Sequence, residues 1–296
     1  MGTMRCRPFL RAFLLLLPLS LSLSATAEGP VSRSAEADAL WDARTAGATG
    51  GVALPGPIDA VIAACRKGIA EAPGSLEPRW RLMRAFYFKG EYVAEAAAQR
   101  AIFDEGKVAG EEALALIRKE AGARAGKPLE SASPVELVPF VTGRPDVVAA
   151  FYWAGVDWGK WAIVFGKTAA VKKGAATKIR DYSTAVILLD PQFEGGGGYR
   201  VLGRLHHQTP AVPFLTGWAS REEALRNLRL AVKTDPGDFI NRLYLAEVMW
   251  DYESSRRDEA RKALEALAAA APSPAVPVED RKTQEIARAT LAAWGR

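Results

Sequence analysis

Apolar residues recur along most of the chain with the spacing of one helix face. Alanine-rich stretches carry them at positions i, i+3, i+4 and i+7, and little of the chain shows the two-residue alternation of a strand. Four stretches end at a proline, namely Pro73, Pro191, Pro236 and Pro272, with small or apolar residues five, eight and twelve positions earlier. Because proline cannot extend a helix, the pattern predicts an all-α protein whose helices end just before these prolines.

The recurring helix end is similar to the second helix of a tetratricopeptide (TPR) unit, a helix–turn–helix repeat of about 34 residues. Candidate first helices carry an aromatic residue followed by a glycine, as in Phe151 with Gly155 and Tyr199 with Gly203. Glycine there would let two helices approach closely. We therefore predict a TPR-like solenoid of five degenerate helical pairs, closed by a capping helix over residues 278–294.

The spacing of the predicted repeats is irregular, since 45 residues separate the second and third prolines and 36 separate the third and fourth. We interpret the extra length as insertions within residues 45–57, 105–144 and 207–219. Two helix starts are marked locally. Ser220 precedes a glutamate by three residues, as in a capping box, and Asp238 stands where an N-cap is expected.

The first 27 residues have the layout of a secretory signal peptide. A positively charged segment (residues 1–11) is followed by a mostly apolar run (residues 12–23) and by Ala25-Thr26-Ala27, a typical cleavage sequence. The apolar run is short for a transmembrane helix, which needs about 20 residues. We predict cleavage after Ala27, a periplasmic location, no membrane span in the mature chain, and a single helical domain over residues 28–296.

The charge balance argues against nucleic-acid binding, and the cysteine content argues against an internal disulfide. The chain carries 39 basic and 34 acidic residues. Three arginines and no acid lie in the signal segment, so the remainder is close to neutral and lacks the basic surplus typical of nucleic-acid binding. Cleavage would also remove Cys6, which leaves Cys65 without an internal disulfide partner. We interpret Cys65 as a small buried apolar residue.

Residues with catalytic potential are scarce. The two histidines, His206 and His207, are adjacent, so on a helix they point about 100° apart and suit one metal ion poorly. No nucleophile elbow, phosphate-binding loop or zinc-protease motif is present. We predict a protein that is not an enzyme, with no catalytic residues, no metal and no cofactor.

Two features suggest binding instead. Residues 195–198 are four glycines directly before Arg200, an arrangement in which free backbone N–H groups and a guanidinium could hold an anion. The alternative is a tight connection between closely packed helices. Aromatic residues are concentrated within residues 151–165, in the preceding predicted repeat. They either pack in the core or line a cavity for an apolar ligand. The candidate binding residues are Trp153, Trp158, Trp161, Tyr199, Arg200, His206 and Trp218.

A family resemblance rests on the same region. The segment from Gly195 to Gly203, preceded by Leu189-Asp190-Pro191 and followed by the helix of residues 224–236, resembles the T-component (TatT-type) TPR proteins of TRAP transporters. The pair Trp158 and Trp161 also has a counterpart in that family, and residues 35–43 resemble its first helix. The resemblance covers most of residues 35–294.

The resemblance implies a periplasmic helical-repeat protein that partners the solute-binding protein of a TRAP transporter. It also implies homo-oligomers and a channel for apolar ligands, and the arginine adds a carboxylate as a candidate ligand. Members of the family that are lipoproteins carry a cysteine just after the signal segment, and this sequence has none there. The alternative is a TPR scaffold or chaperone for other cell-envelope assemblies.

Overall fold

The structure is a computed structural model that describes residues 30–213 and 216–295, so the predicted signal peptide lies outside the described residues. The described chain is 77% helix. It contains no strand in those ranges, only an isolated bridge between Thr49 and Val52. The prediction of an all-α protein is confirmed.

The described residues form thirteen α-helices. A 3-10 turn at Ser254–Arg256 lies between the eleventh and the twelfth. The helices are α1 (Pro30–Asp42), α2 (Pro55–Glu71), α3 (Glu77–Tyr92), α4 (Ala96–Ala125), α5 (Pro134–Val141), α6 (Pro145–Phe165), α7 (Lys167–Lys172), α8 (Ala175–Leu189), α9 (Phe193–Gln208), α10 (Arg221–Thr234), α11 (Phe239–Tyr252), α12 (Arg257–Ala269) and α13 (Pro277–Trp294).

The long helices pack in chain order as five pairs: α1 with α2, α3 with α4, α6 with α8, α9 with α10, and α11 with α12. The first helix of each pair also contacts the first helix of the next, and α13 contacts α11. We call α1, α3, α6, α9, α11 and α13 the inner row. Among the described helices, successive first helices contact one another whereas successive second helices do not pack together to the same extent, which places the inner row on the concave side.

The four helix ends lie where the prolines predict them. Helices α2, α8, α10 and α12 stop two or three residues before Pro73, Pro191, Pro236 and Pro272, respectively. The positions counted back from those prolines are buried, as in Ala224, Leu228 and Ala231 of α10 and in Ala260, Leu264 and Leu267 of α12. The residues five, eight and twelve positions before each proline therefore form the face that packs against the rest of the protein.

The predicted N-caps are also present. The Ser220 side chain accepts a hydrogen bond from the Glu223 backbone N–H (3.1 Å), and Asp238 caps α11 through the Asn241 N–H (2.8 Å). The second half of the predicted capping box is not formed, because the Ser220 N–H donates to His206 Nδ1 instead of to the Glu223 carboxylate. The extra length predicted within residues 105–144 is largely helical, because α4 continues to Ala125 and α5 covers Pro134–Val141. An apolar stripe sustains the 30-residue α4 along its length, including Phe103, Ala113 and Ile117.

Glycines set the distance between paired helices. A Cβ added to Gly203 of α9 would lie 2.7 Å from Leu228 Cγ of α10, and one added to Gly155 of α6 would lie 3.1 Å from Tyr182 Cβ of α8. Contacts that short leave little or no room for a side chain. The predicted role of these glycines in close helix approach is therefore observed.

The C-terminal helix joins the two ends of the chain. Val278 of α13 lies in the same apolar core as Ile58 of α2 and Phe88 of α3. Arg44, just after α1, donates from Nη2 to Glu279 Oε1 at 2.7 Å and to the Ala275 carbonyl at 3.0 Å. The inner row thus closes on itself, which the sequence pattern did not indicate.

Two further expectations concern burial and membrane contact. Cys65 is 1% exposed within the core shared by α2 and α3, and burial raises the pKa of its thiol to about 11, so it packs as an apolar residue. Among the helices described, none is both long enough and apolar enough to cross a membrane.

Candidate functional site

The structure separates the predicted binding residues into three groups. Arg200 belongs to the first group, and it is buried rather than open to a cavity. It donates from Nη2 to the Tyr152 hydroxyl (2.6 Å) and from Nη1 to Asp238 Oδ2 (2.9 Å) and Asn241 Oδ1 (3.0 Å). Burial by itself would lower the pKa of Arg200, but Tyr152 and Asp238 raise it above its ordinary value. Arg200 is thereby fixed between α6, α9 and α11.

The carboxylate that pairs with Arg200 is that of Asp238, the N-cap residue of α11. Trp153 belongs to the same group, since its ring lies 4.9 Å from that of Tyr152. It is 7% exposed, and its Nε1 is buried without a hydrogen-bond partner in the described part of the chain. Trp153 therefore packs between the helices of the inner row.

The glycine run before Arg200 is a packing device. Glu194, Gly195 and Gly196 have left-handed backbone conformations, so regular helix begins only after them. A Cβ on Gly197 would lie 2.5 Å from a ring carbon of Tyr152, and one on Gly198 would lie 2.8 Å from Ile187 Cγ1. The run matches the tight-connection alternative, because neighbouring helices occupy the space that side chains would need.

Trp158 and Trp161 form the second group, and they face α4 and α8 rather than Arg200. Their ring centroids are 5.3 Å apart, and Trp161 Nε1 donates to Asp104 Oδ1 at 2.8 Å. Lys178 Nζ of α8 lies 4.0 Å from the Trp158 ring centroid, a cation–π contact. Both tryptophans are at most 4% exposed, so they are core residues.

The third group is His206 with Trp218. The indole lies edge-on to the imidazole at 5.2 Å, and the imidazole Nδ1 accepts from the Ser220 N–H at 3.1 Å. Burial lowers the pKa of His206 below its ordinary value, which favours this neutral, accepting form. Tyr199 stands apart from all three groups and is half-buried on α9. His206 and Trp218 therefore anchor the chain between α9 and α10.

A surface that the sequence reasoning missed runs along the inner row. Trp80, Arg84, Tyr87 and Glu91 lie at helical spacing on α3, and none of them is fully buried. The ring of Tyr87 lies 5.6 Å from that of Trp153, so this stripe faces α6. The i, i+4, i+7, i+11 spacing was visible in the sequence, but nothing local showed which side of α3 faces inward.

The middle of this surface holds a coupled polar cluster. Lys160 Nζ of α6 pairs with Glu91 Oε2 at 2.5 Å, and the hydroxyls of Tyr87 and Tyr92 are 3.4 Å apart. Burial raises the pKa of both tyrosines well above the ordinary value. Burial by itself would lower the pKa of Lys160, but the neighbouring Glu91 carboxylate raises it. The ion pair between Lys160 and Glu91 therefore joins α6 to α3 at this point.

One end of the surface is a cluster of arginines and tryptophans. The guanidinium carbon of Arg84 lies 3.8 Å from the Trp41 ring centroid and 5.0 Å from that of Trp80. Arg81 lies over Trp80 at 4.2 Å and forms a two-point contact with the Asp38 carboxylate. The cluster joins α1 to α3. It offers cations and flat apolar rings, the chemistry with which proteins recognise anionic ligands that carry an apolar body.

Comparison with known proteins adds no assignment. No known protein-family model matches this sequence, and no curated protein was found to be similar to it. What the structure establishes is the class of fold, an all-α protein built from consecutive pairs of packed helices.

Proposed function

We propose that this chain is a non-enzymatic helical-repeat binding protein of the TPR type, and that its inner row is the binding surface. The observation that carries the proposal is the arrangement of the helices. One row contacts itself along the whole chain and presents a partly exposed stripe of tryptophan, tyrosine and charged side chains. Stacked helical pairs of this kind form concave surfaces suited to partner recognition.

The TPR assignment is supported by local features as well as by the pairing. Each of the pairs α6–α8 and α9–α10 has a glycine on its first helix pressed against a side chain of its second. The second helices end before a proline, as the repeat pattern requires. The length of α4 and the additional α5 depart from a regular 34-residue repeat, so the repeats are degenerate.

We infer that the partner is the solute-binding protein of a TRAP transporter in the periplasm. The inference is based on the signal-like N-terminus and on the Gly-Gly, Arg, Leu-Gly segment with its Leu-Asp-Pro helix end. Both histidines are held by neighbouring groups. His206 is engaged by Ser220 and Trp218, and His207 lies 2.8 Å from the Asp251 carboxylate.

The test is direct binding of the purified mature chain to a TRAP solute-binding protein of the same organism, measured by isothermal titration calorimetry. Tyr244→Ala alters the inner row, where the Tyr244 ring lies 4.2 Å from the Arg204 guanidinium carbon. We expect it to weaken binding by about tenfold, since aromatic residues dominate interface energetics. Leu188→Ala is the matched control, because Leu188 is 58% exposed on α8, a helix outside the inner row.

Two results would contradict the proposal. The first is the absence of binding by a folded wild-type chain, which would remove the TRAP partner and favour the scaffold or chaperone alternative. The second is binding that Leu188→Ala weakens and Tyr244→Ala leaves intact, which would place the binding surface on the outer helices.

A further inference from the structure

Arg84 is a largely buried cation whose hydrogen-bonding capacity is not used. Its side chain is 13% exposed, and its Nε and Nη2 are buried without an acceptor among the residues that the structure describes. Asp38 Oδ1 lies 3.7 Å from Nη2, which is too far for a hydrogen bond. That carboxylate is already held by Arg81, which donates to it from Nε and Nη2 at 2.8 Å each.

We propose that Arg84 is the binding residue for a carboxylate attached to an apolar body, with the body lying against Trp41 and Trp80. The proposal rests on the proposed function in one respect, because it takes the inner row as the binding surface. It adds the chemical class of ligand and the place where that ligand binds.

The geometry of Arg81 shows why a carboxylate fits. Arg81 uses its Nε and Nη2 edge to hold both oxygens of Asp38, the side-on form of the bidentate arginine–carboxylate pair. Arg84, one helical turn further along α3, has the same edge without an acceptor. Two N–H donors that lie in one plane fit the two oxygens of a carboxylate better than they fit an acceptor with a single atom.

The electrostatics of Arg84 favour an added negative charge. Burial lowers the pKa of the guanidinium to about 10, although Glu194 and Asp38 act in the opposite direction. Glu194 is exposed at the start of α9, and the ion pair that Arg84 forms is the 3.7 Å contact with Asp38. A bound carboxylate would supply the missing hydrogen-bond acceptor and a negative charge closer than that of Asp38, and such charge-assisted contacts are the strong ones in partly desolvated sites.

Access to the site depends on α1. This helix packs mainly against α2 and makes fewer contacts with α3. Trp41 of α1 covers one face of the Arg84 guanidinium. Because Nε and Nη2 are buried, the proposal requires side chains around the guanidinium, such as the Trp41 ring, to move when the carboxylate binds.

The probe for the site is hydrocinnamate, a carboxylate on a phenyl-ethyl body, with uncharged hydrocinnamide as its matched compound. Titration of the full mature chain is followed through arginine Nε–Hε signals in ¹H–¹⁵N spectra. We expect hydrocinnamate to shift the Arg84 signal in a saturable way and hydrocinnamide to leave it unchanged. Arg84→Gln should weaken hydrocinnamate binding by about tenfold or more, measured by calorimetry.

The matched control is Arg242→Gln, since Arg242 of α11 also stacks on an aromatic ring, that of Phe239 at 5.6 Å. It should leave hydrocinnamate binding unchanged. Glu194→Gln should leave binding unchanged or strengthen it, because it removes a competing negative charge. Loss of binding in Glu194→Gln, equal binding of acid and amide, or unchanged binding in Arg84→Gln would each overturn the proposal.

Peptides distinguish the source of the carboxylate. The test peptide is short, ends in phenylalanine and has a free C-terminus. If it binds more tightly than hydrocinnamate and its amidated form does not bind, the carboxylate comes from the C-terminus of a partner chain. Tighter binding of hydrocinnamate identifies a free small acid. If the TRAP solute-binding protein fails to bind but hydrocinnamate still requires Arg84, the proposed partner fails and the carboxylate site stands. If Arg84→Gln does not fold, the wild-type comparison of acid with amide still decides.

Discussion

Asp157 provides the sharpest test of the core packing in this structure. It lies on α6 and is 0% exposed, and both of its carboxylate oxygens are buried without a hydrogen-bond partner within the described chain. A Cβ added to Gly106 of α4 would lie 2.6 Å from Asp157 Oδ2, so the two helices meet closely at this point. Burial raises the pKa of Asp157 well above its ordinary value.

The sign of the pH dependence follows from that shift. In the unfolded chain Asp157 loses its proton near its ordinary pKa of 3.8, whereas the folded protein keeps the proton to higher pH. The folded state therefore binds more protons in this window. The contribution of Asp157 to the free energy of unfolding therefore falls by about 1.4 kcal/mol for each pH unit above the pKa of the unfolded chain. The fall ends at the pH where the folded protein also releases the proton.

The perturbation is Asp157→Asn, which keeps the shape and polarity of the protonated acid but cannot ionise. We expect the variant and the wild type to be similarly stable near pH 4. The variant should then gain about 1.4 kcal/mol over the wild type per pH unit as the pH rises. The measurement is urea unfolding followed by far-ultraviolet circular dichroism at several pH values.

Glu112→Gln is the matched control, because Glu112 is an exposed acid on α4. Its stability difference from the wild type should not change with pH by more than a few tenths of a kcal/mol. A difference between Asp157→Asn and the wild type that stays constant from acidic to neutral pH would refute the reasoning. Asp157 would then be ionised in the folded protein and paired with a cation.

Three further outcomes are expected. Arg200→Ala should lower the free energy of unfolding by about 3 kcal/mol, because it leaves the Asp238 carboxylate without its buried partner. Urea titration measures this change. Unchanged stability would mean that the Tyr152–Arg200–Asp238 network is not formed. Ala231→Trp should destabilise by about 1–3 kcal/mol or more by overpacking, since Ala231 is 0% exposed and its Cα lies 3.2 Å from the Cβ position of Gly196; a neutral effect in thermal unfolding would contradict the observed register of α10. N-terminal sequencing of exported protein should begin at Glu28, and a chain that retains Met1 and fractionates with membranes would contradict cleavage.

Local sequence determined the helix ends and the buried face of the second helices. A proline lacks the N–H that the next turn requires, and its effect is confined to the preceding residues, so α10 and α12 end where Pro236 and Pro272 predict. Caps such as Ser220 and Asp238 are similarly local, since the side chain bonds a backbone N–H three residues on. These features depend on contacts within one or two turns and can be identified without the fold.

The length of α4 shows what repeat counting leaves open. Residues 105–144 exceed a 34-residue repeat, but the count does not say whether the extra residues form helix or loop. The chain there keeps apolar residues at helical spacing, and α3 and α6 both pack against α4. Repeat length fixes no helix boundary by itself, because tertiary packing stabilises any continuous amphipathic stretch.

The environments of the candidate residues were decided by the tertiary structure alone. The sequence singled out Arg200 as a candidate binding residue, but its partner Asp238 lies 38 residues further on, and Trp41 meets Arg84 across 43 residues. Arg44 and Glu279 close the inner row across 235 residues. A helical pattern specifies which side of each helix is apolar, whereas the pairing of polar residues between helices depends on how those helices are rotated and stacked. That information resides in the packing of the whole chain, which is why the arginine–tryptophan cluster of α1 and α3 could be identified only in the folded protein.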